Sequence, residues 1–161
     1  MIQKKICMLG SFAVGKTSLV QRYVTSQFSE KYLTTVGVKV DKKVVQIEDQ
    51  EVKLMLWDLA GNDVFSPLNM SYLRGMAGYI LVIDGTRIKS FESALTIYHT
   101  CQQKYRQAAV QVAVNKVDIQ EQWEVTDAHL AQLHDLGIEI NLTSAKTAQA
   151  VEDIFIKLAR A

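Results

Sequence analysis

The sequence predicts an α/β fold: an open sheet of six strands, mostly parallel with one antiparallel strand, and about five helices on both faces. Three observations carry this prediction. Short apolar runs rich in β-branched residues alternate with helical patterns along the whole chain. One pair of runs, 39–47 and 52–58, flanks the polar stretch Glu48-Asp49-Gln50-Glu51 and reads as a hairpin, the one antiparallel pairing. A glycine-bounded segment, Gly10 to Thr17, follows the first run and opens the first helix.

Taken in order, residues 5–9 read as a first strand and 16–25 as a first helix. After the hairpin come strands at 79–84, 110–115 and 138–142, apolar enough to be buried on both faces. Helical patterns at 90–105 and 126–136 separate them. Residues 148–161 close the chain as a helix, with Val151, Ile154, Phe155 and Leu158 at i, i+3, i+4 and i+7 forming its apolar stripe. No repeat or linker interrupts the pattern, so residues 1–161 are expected to form one domain, with ligands at the carboxyl ends of the strands.

Composition excludes several classes. The 161 residues are 48% hydrophobic and 22% charged with one proline, which is ordinary globular usage and rules out disordered or collagen-like chains. Such a length buries roughly two-thirds of the unfolded surface, enough for one good core. A formal net charge of +1, with both signs mixed along the chain, provides no basic field for nucleic acid. Cys7 and Cys101 have neither a metal-ligand spacing nor the number of a disulfide framework, which fits a reducing, cytoplasmic setting. The N-terminus lacks a signal-peptide core, and no run of about 18 apolar residues follows. The last residue is Ala161 with no cysteine near it, so attachment to a membrane is expected only through a tail or a partner.

The motif richest in chemistry is Gly10-Ser11-Phe12-Ala13-Val14-Gly15-Lys16-Thr17. Its glycines let the backbone turn with N–H groups inward, and the following helix adds partial positive charge, so an anionic phosphate is the natural guest. Lys16 is expected to reach the outer phosphates, and the Thr17 hydroxyl to take one position on an octahedral Mg²⁺. Ser11, Ala13, Val14, Gly15 and Ser18 complete the expected nucleotide-binding segment. A chance match of this pattern should arise in about one chain of this length in two hundred.

Asn115-Lys116-Val117-Asp118 follows the strand at 110–115 and bears on the base. An ionised Asp118 only accepts hydrogen bonds, and guanine offers it two donors, N1 and N2. Adenine presents an acceptor there, a mismatch of about 1 to 3 kcal/mol or more. Guanine is expected, and an ATP-dependent kinase is disfavoured. Ser144-Ala145-Lys146 lies just past the strand at 138–142, where a third loop approaches the base; Ser144 or Thr143 is equally suited to cap a helix. Asp58-Leu59-Ala60-Gly61 ends the hairpin's second strand, placing a carboxylate to hold the metal through water and a Gly61 N–H for the terminal phosphate.

These four motifs in this order resemble the Ras superfamily of small GTPases over almost the whole chain. Thr34-Thr35-Val36-Gly37, Leu56 to Gly61 and Ser71-Tyr72-Leu73-Arg74-Gly75 look Rab-like. The resemblance implies the P-loop fold of small G proteins and a switch that binds GTP or GDP with Mg²⁺, of the kind that serves signalling and vesicle trafficking. It also implies hydrolysis of GTP and recruitment of protein effectors, with exchange and activating factors as further partners. By that likeness Thr35 completes the Mg²⁺ shell and senses the γ-phosphate, Phe28 packs near the guanine, and Val40, Trp57 and Tyr72 form the effector-docking trio. The trio suits core packing equally well, and exposure of its aromatics is the feature that favours a partner.

Two departures stand out. Where the family has a glutamine that orients the attacking water, this chain has Asn62, one methylene shorter. Phe12 stands where the family often keeps a small residue, and its ring is expected to obstruct an arginine finger. Slow turnover through Lys16, Thr35 and Asn62 is therefore expected. The alternative is a nearly inactive GTP-binding interaction module, or a domain of something larger. His99, His129 and His134 fall on helical patterns without the partners of a metal site or a nucleophilic triad.

Overall fold

The computed structural model describes residues 1–26, 38–59 and 66–161. Strands β1 (Ile2–Leu9), β2 (Val38–Ile47), β3 (Gln50–Leu59), β4 (Gly78–Asp84), β5 (Ala109–Asn115) and β6 (Ile140–Thr143) form one sheet in the order β2-β3-β1-β4-β5-β6. Among the described residues only β2 and β3 pair antiparallel. Helices α1 (Lys16–Thr25), α2 (Pro67–Tyr72), α3 (Ile88–Lys104), α4 (Asp127–Asp135) and α5 (Val151–Arg160) complete the described fold, with a 3₁₀ segment at Val117–Gln122.

The two-residue period of the strands divides the interior into two cores. Ile6 and Met8 of β1, Ile80 and Val82 of β4 and Ala113 of β5 face one side, where Leu19, Val20 and Tyr23 of α1 and Ile154, Phe155 and Leu158 of α5 cover them. Cys7, Leu9, Tyr79, Leu81, Ile83, Val112 and Val114 face the other, beneath Phe91, Ala94, Ile97 and Tyr98 of α3 and Leu133 of α4. Strands covered on both faces must be apolar throughout, which is why β4 is buried at all of its positions.

Several boundaries differ from the expected ones, each for a local reason. β1 begins at Ile2, because the edge-side strand β3 is long enough to pair with Ile2 through Lys4 before the apolar run starts. The hairpin turn is only Glu48 and Asp49; Glu48 takes φ 54, and Gln50 and Glu51 already pair with Ile47 and Gln46. The closing helix starts at Val151 rather than at residue 148, since Ala148 and Ala150 both have positive φ (71 and 58) and break the helical path. The last strand starts at Ile140 rather than at residue 138, following the turn at Gly137 (φ 78). Ser66 and Pro67 open α2, unanticipated but signposted: the Ser66 hydroxyl accepts from Asn69 N–H, and proline occupies the first turn.

Registry brings the strand ends together. Met8 lies beside Asp58, Leu9 beside Leu81, Asp84 beside Asn115, and Asn115 beside Thr143. The carboxyl ends of β1, β3, β4, β5 and β6 thus form one rim, and it carries the Gly10 to Thr17 loop, Asp58, Asn115 to Asp118 and Ser144 to Lys146.

Candidate functional site

The loop from Gly10 to Gly15 is shaped by backbone freedom at both glycines. Gly10 (φ 154) approaches β4 so closely that a Cβ there would lie 2.6 Å from the Val82 carbonyl oxygen. At Gly15 (φ 106) a Cβ would meet the Asn115 amide at 2.4 Å. Between them Ala13 takes φ 61, a left-handed conformation that costs a non-glycine residue about 1 kcal/mol. Val14 is buried in the core beneath the loop, and α1 begins directly at Lys16. Ser11, Ala13, Thr17 and Ser18 are partly exposed along the loop and the first turn.

Lys16 folds into the loop, donating to the carbonyls of Gly10 (3.0 Å) and Ser11 (3.1 Å) while only 6% exposed. Burial pushes its ammonium down to about 8; Asp58 pulls the other way and Arg87 pushes with burial. The Thr17 hydroxyl donates to Asp58 Oδ2 at 2.5 Å, and Asp58 is buried at 1% exposure. A hydroxyl from the start of α1 and a carboxylate from the end of β3 therefore converge beside the lysine. Both are hard oxygen donors of the kind Mg²⁺ takes, so the residues fit the expected metal.

The second and third motifs are cross-linked to the first by one side chain. Asn115, 3% exposed, donates from Nδ2 to the Val14 carbonyl (3.2 Å) and accepts at Oδ1 from the Thr143 hydroxyl and the Ala145 N–H, both at 3.3 Å. Asp118 is exposed and oriented by the buried Ser144 hydroxyl, which donates to Oδ1 at 2.7 Å. That hydroxyl also accepts from Thr147 N–H at 3.0 Å. The capping role foreseen for Ser144 or Thr143 does not reach a helix: α5 has Ala150 at its N-cap, and Ser144 braces a tight turn and Asp118 instead. Lys116 sits at φ 73 and sends its ammonium to Asp84 Oδ2 at 2.8 Å. Ala145 is buried, and Lys146 is exposed.

Sequence reasoning passed over four residues that shape this rim. Asp84, at the end of β4, is 1% exposed and receives Lys116, Arg87 Nε (3.2 Å) and the Thr86 N–H and hydroxyl. Burial pushes its carboxyl up, but the hydrogen bonds from Lys116 and Thr86 outweigh this and hold it below the ordinary carboxylate range. Its place at a strand's carboxyl end was the available signal. Arg22 of α1 donates to the carbonyls of Ala145 and Lys146, both at 2.7 Å, and so fixes the third loop. Trp123 donates to the Lys116 carbonyl at 2.9 Å, and its ring lies so close to Gly85 that a Cβ there would stand 2.2 Å from it. No sequence pattern points to Arg22 or Arg87, because each acts on backbone carbonyls far along the chain, nor to Trp123, whose partner is a backbone carbonyl seven residues earlier.

Thr35, Phe28, Gly61 and Asn62 lie outside the described residues. Val40, Trp57 and Tyr72 are brought together: Val40 pairs with Trp57 across β2 and β3, and the Trp57 and Tyr72 rings lie 6.1 Å apart at 45°. Val40 is 39% exposed and both aromatics are half-buried, with Lys5 Nζ 3.9 Å above the indole. Phe12 is 52% exposed at the rim of the loop. His129 caps α4, its Nδ1 accepting from Thr126 N–H at 2.9 Å.

A glycine-bounded loop, a buried carboxylate beside its threonine and an exposed aspartate share one rim of a sheet with the small G-protein fold. Comparison with known proteins agrees: the model of the Ras family matches residues 5–161. The GTP-binding protein ypt2 of Schizosaccharomyces pombe is 30% identical over 158 residues, 97% of this chain and 79% of the relative. The Ras-related protein SEC4 of Saccharomyces cerevisiae is 34% identical over 157 residues, 97% of this chain and 73% of its own length. The Ras-related protein Rab-13 of Bos taurus is 32% identical over 158 residues, with 97% and 78% covered. The chain belongs to the Ras family and is a Rab-like small GTPase.

Proposed function

We propose that this chain is a guanine-nucleotide switch that binds GTP or GDP with Mg²⁺, hydrolyses GTP slowly and presents a different face to protein partners in its two states. The observation that carries the reading is the convergence of Lys16, Thr17 and Asp58 at one end of a rim whose other end holds Asp118, with Asn115 bracing both. The inward-facing amides of residues 13–17 and the Lys16 ammonium bind the phosphates, while Asp118 accepts from guanine N1 and N2. Thr17 directly and Asp58 through water would hold Mg²⁺, with Thr35 as a further ligand, and the ion would supply positive charge against the outer phosphates.

Hydrolysis consumes one water and yields GDP and inorganic phosphate. The protein contributes placement and charge, since phosphoryl transfer demands little covalent help. Asn62 stands where the family's glutamine orients that water, and its shorter side chain leaves the amide short of the same position. Phe12 adds a ring at the rim, where it obstructs an arginine supplied by a partner. The surface of Val40, Trp57 and Tyr72, with Val40 exposed and both rings half-buried against the core, suits a docking partner, because aromatic residues with residual exposure are typical anchors of interfaces.

Single-turnover hydrolysis of GTP in the presence of Mg²⁺ tests the slow-switch reading. The expected result is measurable conversion that accelerates when Asn62→Gln restores the longer amide. Tight binding with no conversion in either form would instead establish an interaction module.

A further inference from the structure

Arg87 stands at the N-cap of α3 yet makes no cap with its side chain. Its guanidinium reaches 75 positions back along the sequence, donating from Nη2 to the Phe12 carbonyl at 2.6 Å while Nε donates to Asp84 Oδ2 at 3.2 Å. The same Asp84 oxygen receives Lys116 at 2.8 Å. One buried carboxylate therefore anchors both the rim of the phosphate loop and the lysine of the base-side motif.

The consequence follows from peptide geometry. A trans peptide is planar, so the Phe12 carbonyl and the Ala13 N–H point in opposite directions. Holding that carbonyl outward on Arg87 turns the Ala13 N–H toward the interior of the loop. Ala13 itself is held at φ 61, a conformation an alanine leaves readily unless its neighbours fix it. A forked guanidinium can grip the carbonyl and the carboxylate together, which a lysine ammonium on a flexible stem does far less well.

We propose that Arg87 is a positioning residue for the phosphate loop: bridging Asp84 to the Phe12 carbonyl, it holds the 12–13 peptide with its N–H aimed at the nucleotide and slows nucleotide release. The inference rests on the guanine-nucleotide reading above. It concerns the phosphate side of the site and leaves base choice to Asp118.

The test is the dissociation rate of a fluorescent GDP from the Mg²⁺-loaded protein, chased with excess GDP. Arg87→Ala should release it about three- to tenfold faster, the range for a charge-assisted bond discounted for partial exposure. Arg87→Lys should remain fast. Ala13→Gly, which removes the left-handed penalty, should shrink the effect of Arg87→Ala, so the two changes are non-additive in a double-mutant cycle. Preference for GDP over IDP, which lacks the guanine N2 amine, should stay unchanged in Arg87→Ala. Release within about twofold of the parent with a lowered Tm would overturn the proposal, leaving Arg87 a brace for the start of α3; so would strict additivity with Ala13→Gly. A parent protein that fails to retain labelled GDP at all would overturn the guanine-nucleotide reading itself.

Discussion

Asn115 illustrates how much one side chain can decide at this rim. Its amide spends one donor on the Val14 carbonyl and its oxygen on Thr143 and Ala145, so three loops distant in sequence share one buried group. Asp118, three residues on, is left exposed and steadied by Ser144. Gly85 has a comparable influence with no side chain of its own, because the Trp123 indole that supports the Lys116 carbonyl lies where any Cβ at residue 85 would be. Gly85→Ala should push the indole away and loosen the base-side loop, weakening GDP binding about tenfold, the worth of a lost hydrogen bond plus displaced packing. Equilibrium titration with labelled GDP checks it, and Trp123 fluorescence reports whether the ring has moved. The phosphate-loop glycines, Lys16, Thr17, Asp58 and Asp118 were legible in the sequence, because spacing alone fixes which strand end each follows. Asp84, Arg22, Arg87 and Trp123 were not legible. Trp123 acts on a carbonyl seven residues earlier that no motif marks, and the partners of the other three lie on distant segments, so those contacts depend on strand order, which periodicity does not encode.

At the level of elements, α5 was the most predictable helix and is the most completely apolar on its inner face. Val151, Ile154, Phe155 and Leu158 fall in the core as the i, i+3, i+4, i+7 pattern foretold. Phe155 is fully buried and stacks on Tyr23 of α1, ring centroids 4.1 Å apart and nearly parallel at 3°. This contact ties the closing helix to the helix that carries Lys16 and Thr17. Phe155→Ala should cost about 3–5 kcal/mol in a denaturant melt, from lost burial and the cavity left behind. The same substitution should also weaken nucleotide retention, since α1 loses its support. Boundaries were the least legible property of the elements. Ala148 and Ala150 look like good helix formers, yet both sit at positive φ in the turn that Ser144 braces. The short α2 was marked only by Ser66-Pro67, a signal weaker than periodicity. The apolar run of β1 served better: Ile6 and Met8 fall in one core and Cys7 and Leu9 in the other, as a doubly covered sheet requires.

For the molecule as a whole, burial of weak acids sets an alkaline limit. Burial pushes the Cys7 thiol up from 9.0 to about 12, Cys101 from 9.0 to about 11 and the Tyr23 phenol from 10.0 to about 12. Each folded-state value lies above the unfolded one, so the unfolded chain loses these protons first and stability falls as pH rises between the two. Lys16, lowered from 10.5 to about 8, works in the opposite sense, but only up to 10.5. The net loss should therefore be steepest between about 10.5 and 12, read as a falling Tm in scanning calorimetry. Replacing both cysteines by alanine should flatten part of that decline. Neutral thiols buried in the same core, on the face of the sheet that α3 covers, should also resist alkylation at pH 7 until the protein unfolds. Among the described residues no helix is long and apolar enough to cross a membrane.

The central claim is guanine-specific binding at the rim formed by the strand ends. Its most direct test is competition against bound fluorescent GDP, with unlabelled GTP, GDP and ATP titrated in parallel on the parent protein and on Asp118→Ala. The account predicts displacement by GTP and GDP, none by ATP at comparable concentrations, and a loss of that preference in Asp118→Ala. Equal displacement by ATP and GTP in the parent would contradict it.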